Sequence, residues 1–175
     1  PDVIPSISGE LLESVAIEDI HQVYQVDLFA WVDGEQLGSL EEGLGDEKVK
    51  VAANFFTIGE MAAQLHNQSS TWVAGDDFHR HSWDLEGLIG EEPFWGRFWE
   101  LEALNASQVE MLQAVREKAR LELQAFGVSS RNYSLIHADF VPENLLVDGD
   151  IVRLIDFDDA GFGWHLFELA TALYF

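Results

Sequence analysis

A histidine, an amide and three carboxylates lie close together in sequence near the end of the chain. Asp139 and Asn144 follow His137, and Asp156 and Asp158 come after an intervening hairpin pattern. An apolar strand pattern precedes each acidic group, so a rigid sheet can hold the acids at its edge. One carboxylate can orient a hydroxyl and accept its proton, while another carboxylate and an amide oxygen can hold Mg²⁺ against phosphates. Asp and Asn are also common in turns, but the joint spacing favours phosphoryl transfer from a nucleotide.

These residues also carry a resemblance to a known family. The pattern H-x-D-x-x-x-x-N, followed by two apolar residues and then by I-D-F eleven residues after the Asn, resembles the catalytic core of the aminoglycoside phosphotransferase family, which includes choline and homoserine kinases. The resemblance implies a kinase-like fold and ATP-dependent transfer to a hydroxyl of a small molecule, such as an aminoglycoside, an amino-alcohol or a homoserine-like compound. The matching residues are His137, Asp139, Asn144, Leu145, Leu146, Leu154, Ile155, Asp156, Phe157, Asp158 and Ala160.

The resemblance implies a role for each polar residue of the pattern. Asp139 is expected to be the catalytic base that orients the acceptor hydroxyl. His137 is expected to brace the catalytic loop without transferring protons. Asn144 and Asp156 are expected to be the Mg²⁺ ligands. Asp158 is expected either to assist a second metal ion or to complete the hydrogen bonds of its loop.

The resemblance extends to a predicted hinge and to a division of the chain. The sequence F-A-W-V-D-G at 29–34 is similar to the hinge strand between the two lobes of the fold. The main-chain groups of Ala30 and Val32 are then expected to face the adenine of ATP. Residues 1–33 would be the end of the N-terminal lobe, and residues 34–175 an incomplete C-terminal lobe.

The chain also departs from the family pattern. Val141 stands where the family often has a histidine, and Glu168 begins an E-L-A sequence where the family usually has D-L-A. No Gly-rich phosphate loop and no strand lysine precede the predicted hinge. We therefore expect a truncated kinase-like fold, cut from a longer protein and inactive by itself. Two alternatives stay open: a non-catalytic kinase-like module for binding or regulation, and a protein kinase of the same superfold.

The apolar patterns that must position these residues predict an α+β protein. Strands come first, then helices, then paired short strands and a last helix, which differs from alternating β/α units. A capping box is predicted at Ser107 and Glu110. The predicted elements are a hairpin of 3–7 and 11–16 turning at Ser8-Gly9, a strand over 23–32, a linker over 34–46, helices over 49–66 and 107–127, short strands over 133–136, 145–147 and 151–155, and a buried helix from Trp164.

The two long helices are predicted to bury one apolar face each. Four tryptophans between them are expected either to line an acceptor pocket or to pack an insertion. His79 and His81 are expected on a surface loop, and His66 and His165 in the core. The predicted faces are Ala52, Phe55, Phe56, Gly59, Ala62, Ala63 and His66 in the first helix, and Val109, Leu112, Val115, Ala119 and Leu123 in the second; the tryptophans are Trp72, Trp83, Trp95 and Trp99.

The composition excludes several classes of protein and of partner. Among 175 residues, 32 Asp and Glu face 9 Lys and Arg, a formal net charge of −23 that opposes binding to nucleic acid and to anionic membranes. The acidity suits a cationic acceptor or a solvated acidic surface. The absence of cysteine excludes disulfides, thiolate metal sites and cysteine nucleophiles. No apolar run is long enough to span a membrane, so we expect a cytoplasmic protein; its oligomeric state stays open.

Overall fold

Within the described residues, the strands form three small sheets and the chain has four α-helices. The computed structural model describes residues 2–17, 19, 21–39, 43–44 and 48–174, so the predicted linker lies partly outside the described residues. The elements are β1 (Glu13–Ile17), β2 (Gln22–Val26), β3 (Glu35–Gln36), α1 (Lys48–Ser69), β4 (Ser82–Trp83), α2 (Leu85–Ile89), α3 (Ala106–Phe126), β5 (Tyr133–Ile136), β6 (Leu145–Asp148), β7 (Ile151–Leu154), β8 (Gly161–Trp164) and α4 (His165–Ala172), with single 3₁₀ turns at Phe98–Glu100 and Pro142–Asn144.

The N-terminal strands pair differently from the prediction. Ser8-Gly9 does form a turn, with Gly9 at φ +89°, but the segments on either side of it do not pair with each other. Instead, β1 pairs antiparallel with β2, and Val15 faces Tyr24 across the ribbon. Cross-strand pairs of an aromatic and a β-branched residue stabilise a sheet. The predicted strand over 23–32 is correspondingly shorter, because β2 ends at Val26.

Helix α1 confirms a predicted helix and part of its predicted face, since Phe55 and Ala62 contact the core. Ile58 and Ala62 are buried, and Leu65 packs against them. Phe56, which the predicted face included, is 69% exposed. The run of apolar residues in this helix is broad enough that two neighbouring faces look alike in sequence, and packing against β5 and α4 chooses between them.

The N-cap of helix α3 lies two residues before the predicted one. The side chain of Asn105 accepts the N–H of Gln108 at 3.0 Å, and the side chain of Gln108 accepts the N–H of Asn105 at 2.9 Å. Asn is as strong an N-cap as Ser, so the same spacing forms a capping box two residues earlier. The predicted stop at Gly127 is confirmed, because Gly127 caps the helix at φ +69°.

The centre of the third sheet is a strand that the sequence did not predict. Strand β8 lies between β4 and β5, in the order β4-β8-β5. Two of its four residues are glycines, which are rare in strands. Gly163 is required here by close approach, because a Cβ atom on it would lie 2.7 Å from Cδ1 of Ile136. The predicted hairpin of β6 and β7 is confirmed, and β3 adds to its free edge.

Two apolar clusters hold the sheets against the helices. The larger cluster joins α1 and α4 to the β6–β7 hairpin, and the smaller lies beside β5 and β8. Among the described residues, no helix combines the length and apolar character that crossing a membrane requires. The buried members are Ile58, Ala62, Phe140, Leu145, Leu154 and Ala172 in the larger cluster, and Trp83, Ile136 and Ala138 in the smaller.

Candidate active site

The loop between β5 and β6 places the predicted base and the predicted amide ligand in direct contact. Asn144 donates from Nδ2 to Oδ2 of Asp139 at 2.6 Å and to the main-chain oxygen of Asp139 at 3.1 Å. Both donor contacts fix the orientation of the amide. No hydrogen bond within the described part of the chain uses the side-chain oxygen of Asn144, so this oxygen is available to a cation.

His137 lies under this loop and joins it to the end of β7. Its Nδ1 accepts the N–H of Asp139 at 3.2 Å, so this nitrogen carries no proton. The proton is then on Nε2, which donates to the main-chain oxygen of Ile155 at 3.0 Å. With both ring nitrogens engaged and the side chain 2% exposed, His137 braces the loop and has no nitrogen left for proton transfer.

Glu168 anchors the same loop from below. The carboxylate is fully buried and accepts the N–H of His137 at 3.0 Å and the N–H of Ala138 at 2.6 Å. Ala138 has φ +68°, a conformation that costs a non-glycine residue free energy and persists only where its surroundings hold it. The longer Glu side chain at this departure from the family pattern therefore still reaches both amides.

Asp156 lies two residues after the end of β7. Like Ala138 it has a left-handed conformation, at φ +62°. Its Oδ1 accepts the N–H of Asp158 at 3.3 Å, which leaves Oδ2 without a partner among the described residues. The carboxylate of Asp158 is exposed. The bond within the loop therefore involves the main chain of Asp158, and its side chain has room to reach a second ion.

The oxygen donors of this region fit a small divalent cation. Mg²⁺ prefers oxygen ligands and is usually held by one or two protein groups together with substrate phosphates. Asn144 and Asp156 supply two such groups. Within the described ranges, no group of three or more His, Asp or Glu residues is arranged to hold a metal by itself.

The environment of Asp139 suits a proton acceptor. Burial raises the pKa of the Asp139 carboxyl above its ordinary value, and the hydrogen bond from Asn144 opposes that rise. The negative charges of Asp159 and Asp156 raise the pKa further. A carboxylate with a raised pKa is a stronger base than a solvated one.

A cleft of about 990 Å³ opens beside Asp156 and Asp158 and extends to the predicted hinge. Ala30 and Val32 both line it, so the structure brings these four predicted residues to one cavity. Asp139, Asn144 and His137 are absent from its lining and lie on the neighbouring loop. The N–H of Ala30 already donates to the main-chain oxygen of Asp2 at 2.8 Å.

The remaining candidates divide between packing and surface. Trp83 and Trp99 are buried at 0% and 5% exposure, whereas Trp95 is 64% exposed although its ring centroid lies 4.8 Å from that of Trp83. Trp72 lines a cavity beside His137. His66 and His165 stack in parallel, with ring centroids 4.0 Å apart and 8° between planes.

Sequence reasoning missed two arginines that the fold places in structural contacts. Arg116 is buried, lies 3.9 Å from the centre of the Trp99 ring and binds the main-chain oxygens of Ile89 and Gly90. Arg80 donates to the loop that follows Asp156. Neither contact leaves a signal in sequence, because each joins segments distant along the chain.

Comparison with known proteins agrees with this geometry. The sequence model of the phosphotransferase enzyme family, APH, matches residues 9–175. Amicoumacin kinase of Bacillus subtilis (strain 168) is 24% identical over 121 residues, which are 69% of this chain and 33% of that protein.

Two solved structures share the fold over nearly the whole chain. The microcompartment-associated aminopropanol kinase superposes with a TM-score of 0.81 at 33% identity, over 99% of this chain and 51% of that one. The amicoumacin kinase hAmiN, in complex with AMP-PNP, Ca²⁺ and Ami, gives a TM-score of 0.70 at 18% identity, over 98% of this chain and 46% of that one. The chain thus spans about half the length of these structures and a third of the curated relative.

Proposed function

Because the chain belongs to the phosphotransferase enzyme family, we propose that it is the catalytic part of an ATP-dependent kinase that phosphorylates a hydroxyl of a small molecule. The observation that carries the proposal is the direct contact of Asp139 with Asn144, on a loop braced next to the acidic end of β7. The aminopropanol and amicoumacin kinases named above act on small molecules, which supports this acceptor class over a protein acceptor.

In the proposed reaction, Asp139 orients the acceptor hydroxyl and accepts its proton as the oxygen attacks the γ-phosphorus. The bond between that phosphorus and the β,γ-bridging oxygen breaks, and ADP leaves. The amide of Asn144 holds the Asp139 carboxylate in one orientation through its 2.6 Å hydrogen bond. His137 and Glu168 hold the main chain of the loop, so the base needs little reorganisation during the reaction.

The proposed metal ligands are the side-chain oxygens of Asn144 and Asp156, with Asp158 beside them. Mg²⁺ at this position would neutralise phosphate charge and align the transferred group. The cluster of carboxylates around Asp139 is itself a reason to expect a cation, because like charges raise one another's free energy. The AMP-PNP and Ca²⁺ bound to hAmiN support the same combination of nucleotide and divalent cation.

We place the adenine of ATP at the hinge end of the 990 Å³ cleft, against Ala30 and Val32. The N–H of Ala30 is already paired with Asp2. The carbonyl oxygen of Ala30 and the main-chain groups of Val32 are therefore the groups that can bind the adenine. In this proposal residues 1–33 are the end of the N-terminal lobe, and residues 34–175 belong to the C-terminal lobe.

The acceptor that we propose is a small alcohol, with an amine-bearing alcohol as the first to test. The surplus of carboxylates at the site and over the chain, with a net charge of −23, attracts a cationic molecule. An affinity that weakens as ionic strength rises would support the charged acceptor.

The test is ATP turnover by the full-length gene product with Mg²⁺ and a panel of aminopropanol, other amino-alcohols, an aminoglycoside and homoserine. Asp139→Asn keeps the shape of the side chain but removes the base, so we expect kcat to fall by about 10²–10⁴-fold. Asp150→Asn, at an exposed carboxylate in the β6–β7 turn, is the matched control. Unchanged turnover in Asp139→Asn, or ATP binding without turnover on any acceptor, would contradict the proposal.

A further inference from the structure

Arg80 reaches across from the segment before β4 to the loop that carries the proposed metal ligands. Its Nη2 donates to the main-chain oxygen of Phe157 at 2.8 Å, and its Nη1 donates to the main-chain oxygen of Asp158 at 3.3 Å. The side chain is exposed and lines the large cleft together with Asp156. One guanidinium thus holds two consecutive carbonyls next to the nucleotide side of the site.

These contacts belong to a wider pattern, in which side-chain donors hold the carbonyls of this loop. The oxygen of Asp159 accepts from Nε1 of Trp83 at 2.8 Å and lies 3.1 Å from Nε2 of His81. Residues 80–83 therefore bind three carbonyls in a row, at positions 157 to 159. On the other side of Asp156, His137 binds the carbonyl of Ile155.

The loop needs such support because of the conformation at Asp156. A left-handed φ of +62° is unfavourable at a non-glycine residue and persists where contacts from the surroundings hold it. His137 and Trp83 are buried and also contribute to the core. Arg80 is the exposed member of the set, so its contacts serve the loop rather than the packing of the protein.

We propose that Arg80 is a positioning residue for the metal-binding segment Asp156–Asp158. By fixing the carbonyls that follow Asp156, Arg80 keeps the Asp156 carboxylate turned toward the cleft before any cation arrives. The planar fork of arginine donates to two acceptors at once, whereas the single ammonium of lysine holds both less well. The inference rests on the proposed function, since it assigns the metal to this segment.

The first measurement is hydrogen exchange of the full-length gene product without nucleotide or metal. The amides of Asp158 and Ala160 donate within the loop, to Oδ1 of Asp156 and to the oxygen of Phe157. In Arg80→Ala we expect these amides to exchange about 10-fold faster, because the loop loses both hydrogen bonds from the guanidinium. Amides of α3 should not change. Arg131→Ala, at an exposed arginine away from the site, is the control.

The second measurement is Mn²⁺ binding in the presence of AMP-PNP, followed by electron paramagnetic resonance. We expect about 10-fold weaker Mn²⁺ affinity in Arg80→Ala, partial recovery in Arg80→Lys and no change in Arg131→Ala. The thermal midpoint should stay near that of the wild type in all three variants, because Arg80 is exposed.

Exchange and Mn²⁺ affinity that are both unchanged in Arg80→Ala would overturn the inference. A general loss of protection, with α3 included, would also overturn it, because Arg80 would then support the fold as a whole. These results are independent of turnover. An inactive wild type with a selectively loosened loop in Arg80→Ala would count against the proposed function and not against the role of Arg80.

Discussion

The segment that carries the candidate site and the ribbon at the start of the chain differ in how their residues are held. Around Asp139, side chains from three separate parts of the chain bind the main chain: His137, Glu168 and Arg80. In the ribbon, every residue of β2 is exposed, and β1 and β2 pair only with each other among the described strands.

The difference shows that long-range side-chain hydrogen bonds hold the main chain at the candidate site. The two loops of the candidate site keep Ala138 and Asp156 in left-handed conformations, and hydrogen bonds from side chains distant in sequence stabilise these conformations. The ribbon has one such residue, His21 at φ +52° in its turn, and its register is defined by cross-strand pairs of mostly exposed residues. We therefore expect substitutions at the site to have large effects and substitutions in the ribbon of this chain to have small ones.

Removing the Glu168 carboxylate should have the largest effect on the loop between β5 and β6. In Glu168→Ala the buried amides of His137 and Ala138 lose their acceptor, and we expect the free energy of unfolding of the 175-residue chain to fall by about 2–5 kcal/mol. Glu168→Gln keeps one acceptor oxygen and should lose less. Chemical denaturation measures both. A change below about 0.5 kcal/mol in Glu168→Ala, the level of ordinary surface substitutions, would show that the loop does not depend on this carboxylate.

The same substitution at two leucines compares the core with the exposed segment that directly follows the ribbon. Leu145 is 1% exposed and Leu28 is 60% exposed. We expect Leu145→Ala to reduce the free energy of unfolding by about 2–5 kcal/mol, because it leaves a cavity. Leu28→Ala in the same chain should change it by less than about 0.5 kcal/mol. Equal effects in denaturant titrations of the two variants would remove the contrast between the regions.

The start of α3 offers a smaller effect with an internal control. Asn105→Ala removes the observed N-cap and should cost about 1 kcal/mol of stability. Ser107→Ala, at the cap that the sequence predicted, should leave stability within about 0.5 kcal/mol of the wild type. If thermal unfolding ranks the two variants in the opposite order, the helix begins at the later residue.

The smallest expected effect is the pH dependence contributed by His165. Burial lowers the pKa of His165, the charge of His66 lowers it further, and Glu168 opposes the shift. Below the ordinary histidine pKa of about 6.5, the unfolded chain binds a proton at His165 more readily than the folded chain does. The contribution of His165 to stability is therefore complete above that pH and decreases as the pH falls below it. In His165→Gln the free energy of unfolding, measured from pH 8 to 5, should decrease less toward low pH than in the wild type. If the decrease toward low pH is unchanged in His165→Gln, another group causes it.

Much of the candidate site could be predicted from spacing along the chain. The contact between Asp139 and Asn144 follows from a five-residue separation within one loop, and local geometry of that kind is encoded locally. The hairpin of β6 and β7 was equally accessible, because Asp148-Gly149 is a strong turn signal and Gly149 adopts φ +61°. The assigned roles of these residues in catalysis remain predictions.

What could not be predicted involves partners far apart in sequence or elements with weak propensity. Strand β8 is rich in glycine, so its place at the centre of a sheet depends on the tight space beside Ile136. The buried face of α1 and the burial of Arg116 depend on which neighbours pack against each helix. The predicted hairpin at Ser8-Gly9 was wrong because a local turn signal does not specify which segments pair.

By itself, the sequence determined the family, the α+β class and the identity of the acidic and amide groups, because these depend on residue types at short separations. Only the tertiary structure decided how those groups are held: Glu168 beneath the loop, and Arg80 across the carbonyls after Asp156, more than seventy residues away along the chain. The physical reason is that a single long-range hydrogen bond leaves no periodic pattern in sequence, although it fixes the conformation on which the proposed chemistry depends.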